Sequence, residues 1–341
     1  MQEIQSEIPD RTPKLPAGQQ SMITVILCTY NRDVALGKAL ESVAAQKVLD
    51  SVAWEVLVVD NNSKDQTRAV VEDFCRRYPG RFRYLFEPRP GKSYALNAGI
   101  REARGQVLAF IDDDVTAEPD WLQNLTFGLH SGEWAGAGGR ILPPGDFSPP
   151  RWLSLKYRHW LGTLALFDLG TQPGNLTEPP FGTNMAYRRE VFERYDAFRL
   201  DLGPRPDSEI RGEDTEFGAR ILAAGLRLRY EPAAVVHHPV PEHRLQKKYF
   251  LAWWFDKGRS DLREFGVPPN TSYFVAGIPL LLLRRSVTWA LRWMFAVSPA
   301  RRFFCNSRLR WLAGQIVETR RRRSPACLES PIVTKDPASP R

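Results

Sequence analysis

Four times between Met22 and Val115 the chain runs apolar and β-branched, breaks into a polar cluster, and then takes up helical spacing. Met22 to Cys28 ends in Thr29-Tyr30-Asn31-Arg32, and from Asp33 to Gln46 the residues Leu36, Leu40 and Val43 recur at helical spacing. Trp54 to Val59 ends in Asp60-Asn61-Asn62, after which Ser63 and Gln66 are spaced as a capping box for a helix to Tyr78. Phe82 to Phe86 leads to Gly91-Lys92-Ser93 and a helix through Arg104, and Val107 to Ile111 delivers Asp112-Asp113-Asp114. Runs this apolar fit buried strands, and strand-helix alternation predicts an α/β fold with a doubly wound, mainly parallel sheet. Ligands of such sheets bind outside the carboxyl ends of the strands, where these clusters fall.

The Asp triplet carries the sharpest chemistry. Three adjacent carboxylates repel one another, and a hard cation such as Mg²⁺ or Mn²⁺ relieves that repulsion while keeping positions open for phosphate oxygens. In extended backbone Asp112 and Asp114 point one way and Asp113 the other, so the outer pair is placed to share a metal and a ligand. A solvated acidic turn before a helix near Glu118-Pro119 is the alternative.

The second half is less regular. A strand is expected within Trp134 to Leu142. The Pro- and Gly-rich stretch from Pro143 to Pro180, with Trp152, Tyr157 and Trp160, reads as a lid or binding loop. Phe181 to Tyr187 is extended, Arg188 to Tyr195 a short helix, and Gly212-Glu213-Asp214 opens a helix stopped by Gly225. Two short strands, Leu226 to Tyr230 and Ala233 to Val236, precede His237-His238 and a helical stretch from His243 to Phe265.

Charge is unevenly spread. The net charge is +8, yet between Leu280 and Arg323 eleven arginines stand against one acid, Glu318, leaving the rest slightly acidic. That distribution argues against a nucleic-acid-binding core and predicts a basic appendage facing an anionic surface. The apolar run from Tyr273 to Leu283 is shorter than the ~20 residues that span a bilayer, and beyond Pro279 a basic amphipathic helix with a wide apolar face is expected. Cys28, Cys75, Cys305 and Cys327 form no C-x-x-C pair, which fits a reduced, cytosolic setting. The polar stretch from residue 1 to 21 reads as a disordered lead-in, without the apolar core of a signal peptide.

Taken together, Cys28-Thr29-Tyr30-Asn31-Arg32, Val59-Asp60-Asn61-Asn62-Ser63, Gly91-Lys92-Ser93-Tyr94-Ala95-Leu96-Asn97-Ala98-Gly99, the Asp triplet and Gly212-Glu213-Asp214 resemble glycosyltransferase family 2 in order and spacing. The resemblance covers roughly Met22 to Gly258. It implies a nucleotide-diphospho-sugar transferase (GT-A-like) fold and metal-dependent, inverting transfer. It also assigns roles: Thr29, Tyr30, Arg32, Asp60, Lys92, Asn97 and Asp112 to the donor nucleotide, and Asp114 with Asp112 to Mg²⁺ or Mn²⁺. His237, preferred over His238, completes the metal shell, and Asp214 with Glu213 forms the acidic pair that supplies the general base. Gly182, Thr183, Asn184 and Trp152 fall to the acceptor. Each has a plainer reading: Asp60 as an Asx turn, Lys92 as a surface lysine, Asp214 as a helix cap, and the histidines and aromatic residues as packing.

The expected organisation is a lead-in (1–21), a catalytic domain (22–265, with a nucleotide-binding half 22–130 and an acceptor half 131–265), basic membrane-associating helices (266–323) and a disordered tail (324–341). The expected function is sugar transfer from a nucleotide-diphospho-sugar, foremost a UDP-sugar, to a lipid-linked or glycan acceptor in cell-surface polysaccharide biosynthesis. The enzyme would sit peripherally at the cytoplasmic face of an anionic membrane and bind no nucleic acid. A nucleotidyltransferase on a similar sheet, and a non-catalytic sugar- or lipid-binding module, are the alternatives.

Overall fold

The computed structural model describes residues 22–155, 158–206, 208–267, 271 and 273–322. Tyr157, the lead-in and the tail lie outside the described residues. The chain divides into two compact units. Unit 1 comprises the chain up to Pro149, Leu155–Pro206 and Glu213–Val240; unit 2 comprises Pro150–Ser154, the stretch ending at Gly212, and the chain from Pro241 onward.

In unit 1 the expected alternation forms: β1 (Met22–Thr29), α1 (Asp33–Ala44), β2 (Ala53–Asp60), α2 (Thr67–Arg77), β3 (Phe82–Phe86), α3 (Lys92–Glu102) and β4 (Val107–Asp112). After it come β5 (Thr116–Ala117), α4 (Trp121–Thr126), β6 (Gly136–Leu142), α5 (Arg158–Leu161), β7 (Gly174–Asn175), β8 (Asn184–Arg188), α6 (Arg189–Tyr195), α7 (Glu213–Ala223) and β9 (Leu228–His237). The sheet runs β3-β2-β1-β4-β8-β6-β9-β5, with β7 on β9. β1 to β4 are mutually parallel, with β1, β2 and β4 largely buried on both faces; β8 then enters antiparallel between β4 and β6. That reversal places the Thr183 end of β8 beside the Asp112 end of β4, with Ile111 paired to Asn184.

Two local expectations change. The segment read as two short strands is one strand, β9, with a register shift opposite Gly139/Arg140. The Ser63–Gln66 capping box does not form. Helix α2 starts at Thr67, whose N–H donates to Asp65 Oδ1 at 3.0 Å, while the Ser63 hydroxyl accepts from the Asn31 N–H at 2.9 Å. Asn31 and Asn62 carry positive φ (50° and 69°), which asparagine tolerates well, and the Asn31 side chain takes the Lys64 N–H at 2.7 Å. The loops after β1 and β2 therefore brace each other at the ligand end of the sheet.

An aromatic cluster seats the second carboxylate pair. Phe192 stacks on Phe217 at 4.6 Å between ring centroids, and Phe110, Tyr187 and Phe198 close around them. Phe217 is one turn past Glu213 on α7, so this packing holds the helix start against the sheet.

Unit 2 contains α8 (Lys247–Phe265), the hairpin β10 (Phe274–Val275) and β11 (Ile278–Pro279), α9 (Leu280–Met294) and α10 (Pro299–Arg322). Helix α8, expected within the catalytic domain, groups instead with the basic helices. Gly258 of α8 lies against the Trp311 carbonyl and Gly314 of α10 against that of Phe255, an approach that side chains would block. Buried Glu318 accepts from Arg259 and Arg263, so α10, expected to associate with membrane, is a packing partner of α8. Trp152 meets Phe250 and Phe303 edge-on, with Lys247 over its ring; it is a packing residue of unit 2. Among the described residues no helix is long and apolar enough to cross a membrane.

Candidate active site

β4 ends at Asp112, and the next two acids lie in a turn. The alternation expected for extended backbone therefore fails. Asp113 and Asp114, not Asp112 and Asp114, share a partner: Arg32 Nη1 sits 3.2 Å from Asp113 Oδ1 and 2.5 Å from Asp114 Oδ2. Burial pushes Asp113 up to about 6 although Arg32 pulls the other way.

Asp112 turns to the opposite partners. Its Oδ1 accepts from Lys92 Nζ at 2.7 Å and its Oδ2 from the Thr183 hydroxyl at 2.6 Å. Burial alone would raise this carboxyl, but the Lys92 charge and both hydrogen bonds outweigh it and hold Asp112 below the usual carboxylate range. Lys92 is likewise held cationic: burial opposes the charge, while Asp112 and Glu213, the latter 3.9 Å away, more than restore it. Gly91, with φ of 134°, delivers Lys92 at the start of α3, and its N–H donates to Asn61 Oδ1 at 2.7 Å.

The acidic pair opening α7 divides by environment. Glu213 is buried and raised to about 7, first by that burial and then by neighbouring Asp214, with Lys92 opposing. Asp214 is half-buried; its Oδ2 accepts from the Gly182 N–H at 2.6 Å and its Oδ1 from the Thr215 N–H at 2.8 Å. Gly182 and Thr183, expected at the acceptor, thus touch one carboxylate each, Asp214 and Asp112 respectively.

Three expected residues face elsewhere. Asn184 is fully buried between the Trp121 indole N–H and the carbonyls of Arg140 and Ala234, so it pins the sheet and faces no acceptor. Both amide groups of Asn97 are used on the backbone of Phe198. His237 bonds to Glu118 Oε1 (Nε2, 2.8 Å) and to the Pro143 carbonyl (Nδ1, 3.1 Å). His238, one residue on, faces the triplet: Nε2 stands 3.8 Å from Asp114 Oδ1. Alternation along an extended segment explains the exchange, since adjacent side chains take opposite faces.

Asp60 is buried, accepting from the Ser63 N–H and the Tyr84 hydroxyl, both at 2.8 Å. Tyr84 was not evident from sequence; its β-strand alternation toward Asp60 is the only signal. Thr29 is buried at the end of β1 and Tyr30 exposed beside it.

The donor set fits a hard divalent cation. Asp114 Oδ1 and His238 Nε2 face each other just beyond hydrogen-bond reach, a separation that a shared ion can fill. Among the described residues no three His, Cys, Asp or Glu side chains converge as a metal group. Mg²⁺ and Mn²⁺ sites of this kind leave the remaining positions to water and phosphate.

With a cation-bearing helix start, an acidic turn and a second acidic pair gathered at the strand ends of a mainly parallel sheet, the chain has the GT-A architecture. The mannosyltransferase PcManGT from Pyrobaculum calidifontis, solved with GDP-Man and Mn²⁺, shares this fold at a TM-score of 0.59 and 21% identity, over 88% of this chain and 87% of that one. The family model "Glycosyl transferase family 2" matches residues 24–196. The succinoglycan biosynthesis protein ExoM of Rhizobium meliloti is 32% identical over 68% of this chain and 70% of its own length. The glucosyl-dolichyl phosphate glucuronosyltransferase of Haloferax volcanii is 27% identical over 68% of this chain and 74% of its own. The chain belongs to glycosyltransferase family 2, and it is a glycosyltransferase.

Proposed function

We propose that this enzyme is a metal-dependent, inverting transferase that moves a sugar from a nucleotide-diphospho-sugar, foremost a UDP-sugar, to a lipid-linked or polysaccharide acceptor. Its place is cell-surface polysaccharide assembly at the cytoplasmic face of the membrane. The observation that carries this reading is the division of the two acidic groups. Asp112 and Asp114 sit with Lys92, Arg32 and His238, which this reading gives to the donor, while half-buried Asp214 accepts from the Gly182 loop and is given to the acceptor.

In this reading Asp114 and His238 would hold the Mg²⁺ or Mn²⁺, which would neutralise charge on the diphosphate leaving group. Lys92 stays cationic on Asp112 and presents a fixed positive charge at the start of α3, where backbone N–H groups also favour phosphate. Thr29, Tyr30 and Asp60 flank the base and ribose. Asp214 takes the proton of the acceptor hydroxyl as that oxygen attacks the anomeric carbon opposite the leaving group. Each oxygen of Asp214 accepts one backbone N–H, Oδ2 from Gly182 at 2.6 Å and Oδ1 from Thr215 at 2.8 Å, and each has a second lone pair that can take the proton. Glu213, buried behind it, offers no accessible lone pair.

Relatives named for succinoglycan biosynthesis and for a dolichyl phosphate substrate support a polysaccharide or lipid-phosphate acceptor. The test is a panel of UDP-, GDP- and dTDP-sugars with Mg²⁺ or Mn²⁺, read as donor turnover and as product anomer by NMR. One donor turned over with inversion is expected. No turnover of any donor with either metal, or product with retained configuration, would overturn the proposal.

A further inference from the structure

The surface of unit 2 presents apolar side chains to solvent in three adjoining places. The β10–β11 hairpin turns through Ala276 and Gly277, both at positive φ (48° and 77°), the backbone of a two-residue type I′ turn. Its inner strand is anchored by Ile278, buried with Leu282 and Leu312, but Tyr273 (75% exposed), Phe274 and Val275 project outward. Helix α9 follows at once. It buries Leu282 and packs Leu283 and Trp289 inward, while Val287, Leu291 and Met294, at spacings of four and three, form an exposed ridge. Beyond the helix Phe295 is 76% and Val297 98% exposed.

Arginines border that ridge. Arg284 shares its crest, and Arg285 and Arg292, seven residues apart, follow one flank; Arg301 and Arg302 continue on α10. All five are exposed, and none makes an ion pair among the described residues. No acid occurs from Leu280 to Val317, so this stretch contains nothing that neutralises them.

We infer that this face docks on an anionic lipid bilayer, with the Phe274-Val275 hairpin tip, the Val287-Leu291-Met294 ridge and the Phe295-Val297 corner entering the headgroup boundary and the arginines taking lipid phosphates. Charge complementarity selects this occupant. Two copies meeting through the same face would set arginine rows against each other, which costs affinity, whereas a leaflet rich in anionic phosphate rewards both the basic and the apolar parts. Helix α9, at about 22 Å for its length, lies in the interface and does not cross it. The inference adds the lipid-contacting residues to the membrane-side reading above and is independent of the catalytic chemistry.

The test is co-sedimentation of the full chain, without donor, with phosphatidylcholine vesicles prepared with and without phosphatidylglycerol. Binding to the phosphatidylglycerol vesicles, weakened by salt, is expected. The triple change Arg284→Gln, Arg285→Gln, Arg292→Gln should lower that affinity by on the order of a hundredfold and flatten the salt dependence. The pair Leu291→Glu, Phe295→Glu should lower it by about tenfold or more. All five positions are exposed, so unchanged circular dichroism and melting are expected to accompany both losses. Failure of the full chain to sediment with phosphatidylglycerol vesicles at low salt overturns the inference. So does a dimer in sedimentation velocity that the Leu291→Glu, Phe295→Glu pair dissolves while vesicle binding is absent, which would assign the face to a second copy. Donor turnover, measured separately, decides the transferase reading.

Discussion

The backbone N–H of Gly182 donates a 2.6 Å hydrogen bond to Oδ2 of Asp214. The bond ties the carboxylate of the proposed base to the loop that, one residue later, reaches Asp112 through the Thr183 hydroxyl. Donor-side and acceptor-side acids are thus linked through two adjacent residues before β8.

Asp214→Asn keeps the shape of the side chain and an oxygen for the Gly182 N–H but removes the lone pair that takes a proton. Turnover should fall by on the order of 10²-fold or more while nucleotide affinity and melting temperature change little. Loss of melting temperature with turnover preserved would make Asp214 a helix cap and not the base.

Glu213 supplies a pH signature. Its carboxyl is raised in the folded protein to about 7, by burial and by Asp214, whereas unfolded it titrates near its ordinary value of 4.5. Between those values the folded state holds a proton that the unfolded state has released, so stability falls as pH rises through this window. Glu213→Gln removes the titration. Under chelation, urea unfolding should show the variant gaining on the native chain by about 1–3 kcal/mol from pH 4.5 to 7.5. A difference between the two chains that does not vary with pH would contradict the assignment.

The histidines separate cleanly. His238 faces Asp114, and His237 is taken up by Glu118 and the Pro143 carbonyl. His238→Ala should weaken Mn²⁺ binding by about tenfold or more, read by electron paramagnetic resonance of free Mn²⁺, and His237→Ala by far less. The reverse order would restore the register read from sequence.

The strand ends are legible in the sequence because each apolar run gives way there to a polar cluster, as at Val59-Asp60-Asn61 and Ile111-Asp112-Asp113. The place where extended backbone gives way to a turn is not legible, and Asp113, Asp114 and the two histidines all depend on it. The capping-box pattern at Ser63 and Gln66 fails because its groups are taken elsewhere: the Ser63 hydroxyl accepts from the Asn31 N–H of the neighbouring loop, and the Ser63 N–H donates to Asp60 Oδ1. Asn97 and Asn184 carry family-like positions, yet their amides are spent on Phe198 and on the sheet interior, which only the folded contacts reveal. The basic C-terminal stretch is visible as charge, but its division into a packed α10 and an exposed α9 rests on α8 and α10 meeting where Gly258 and Gly314 each lie against a backbone carbonyl of the other helix. No local pattern encodes that meeting.

The central claim is that Asp114 and His238 hold a divalent ion through which a nucleoside diphosphate binds. Calorimetry of UDP binding with Mn²⁺ and with chelator, on the native chain and on Asp114→Asn, tests it most directly. Tight binding that weakens by on the order of tenfold or more under chelation, and a variant that is weak in both conditions, is the expected result. UDP binding of equal strength with and without the metal, unchanged in Asp114→Asn, would contradict it.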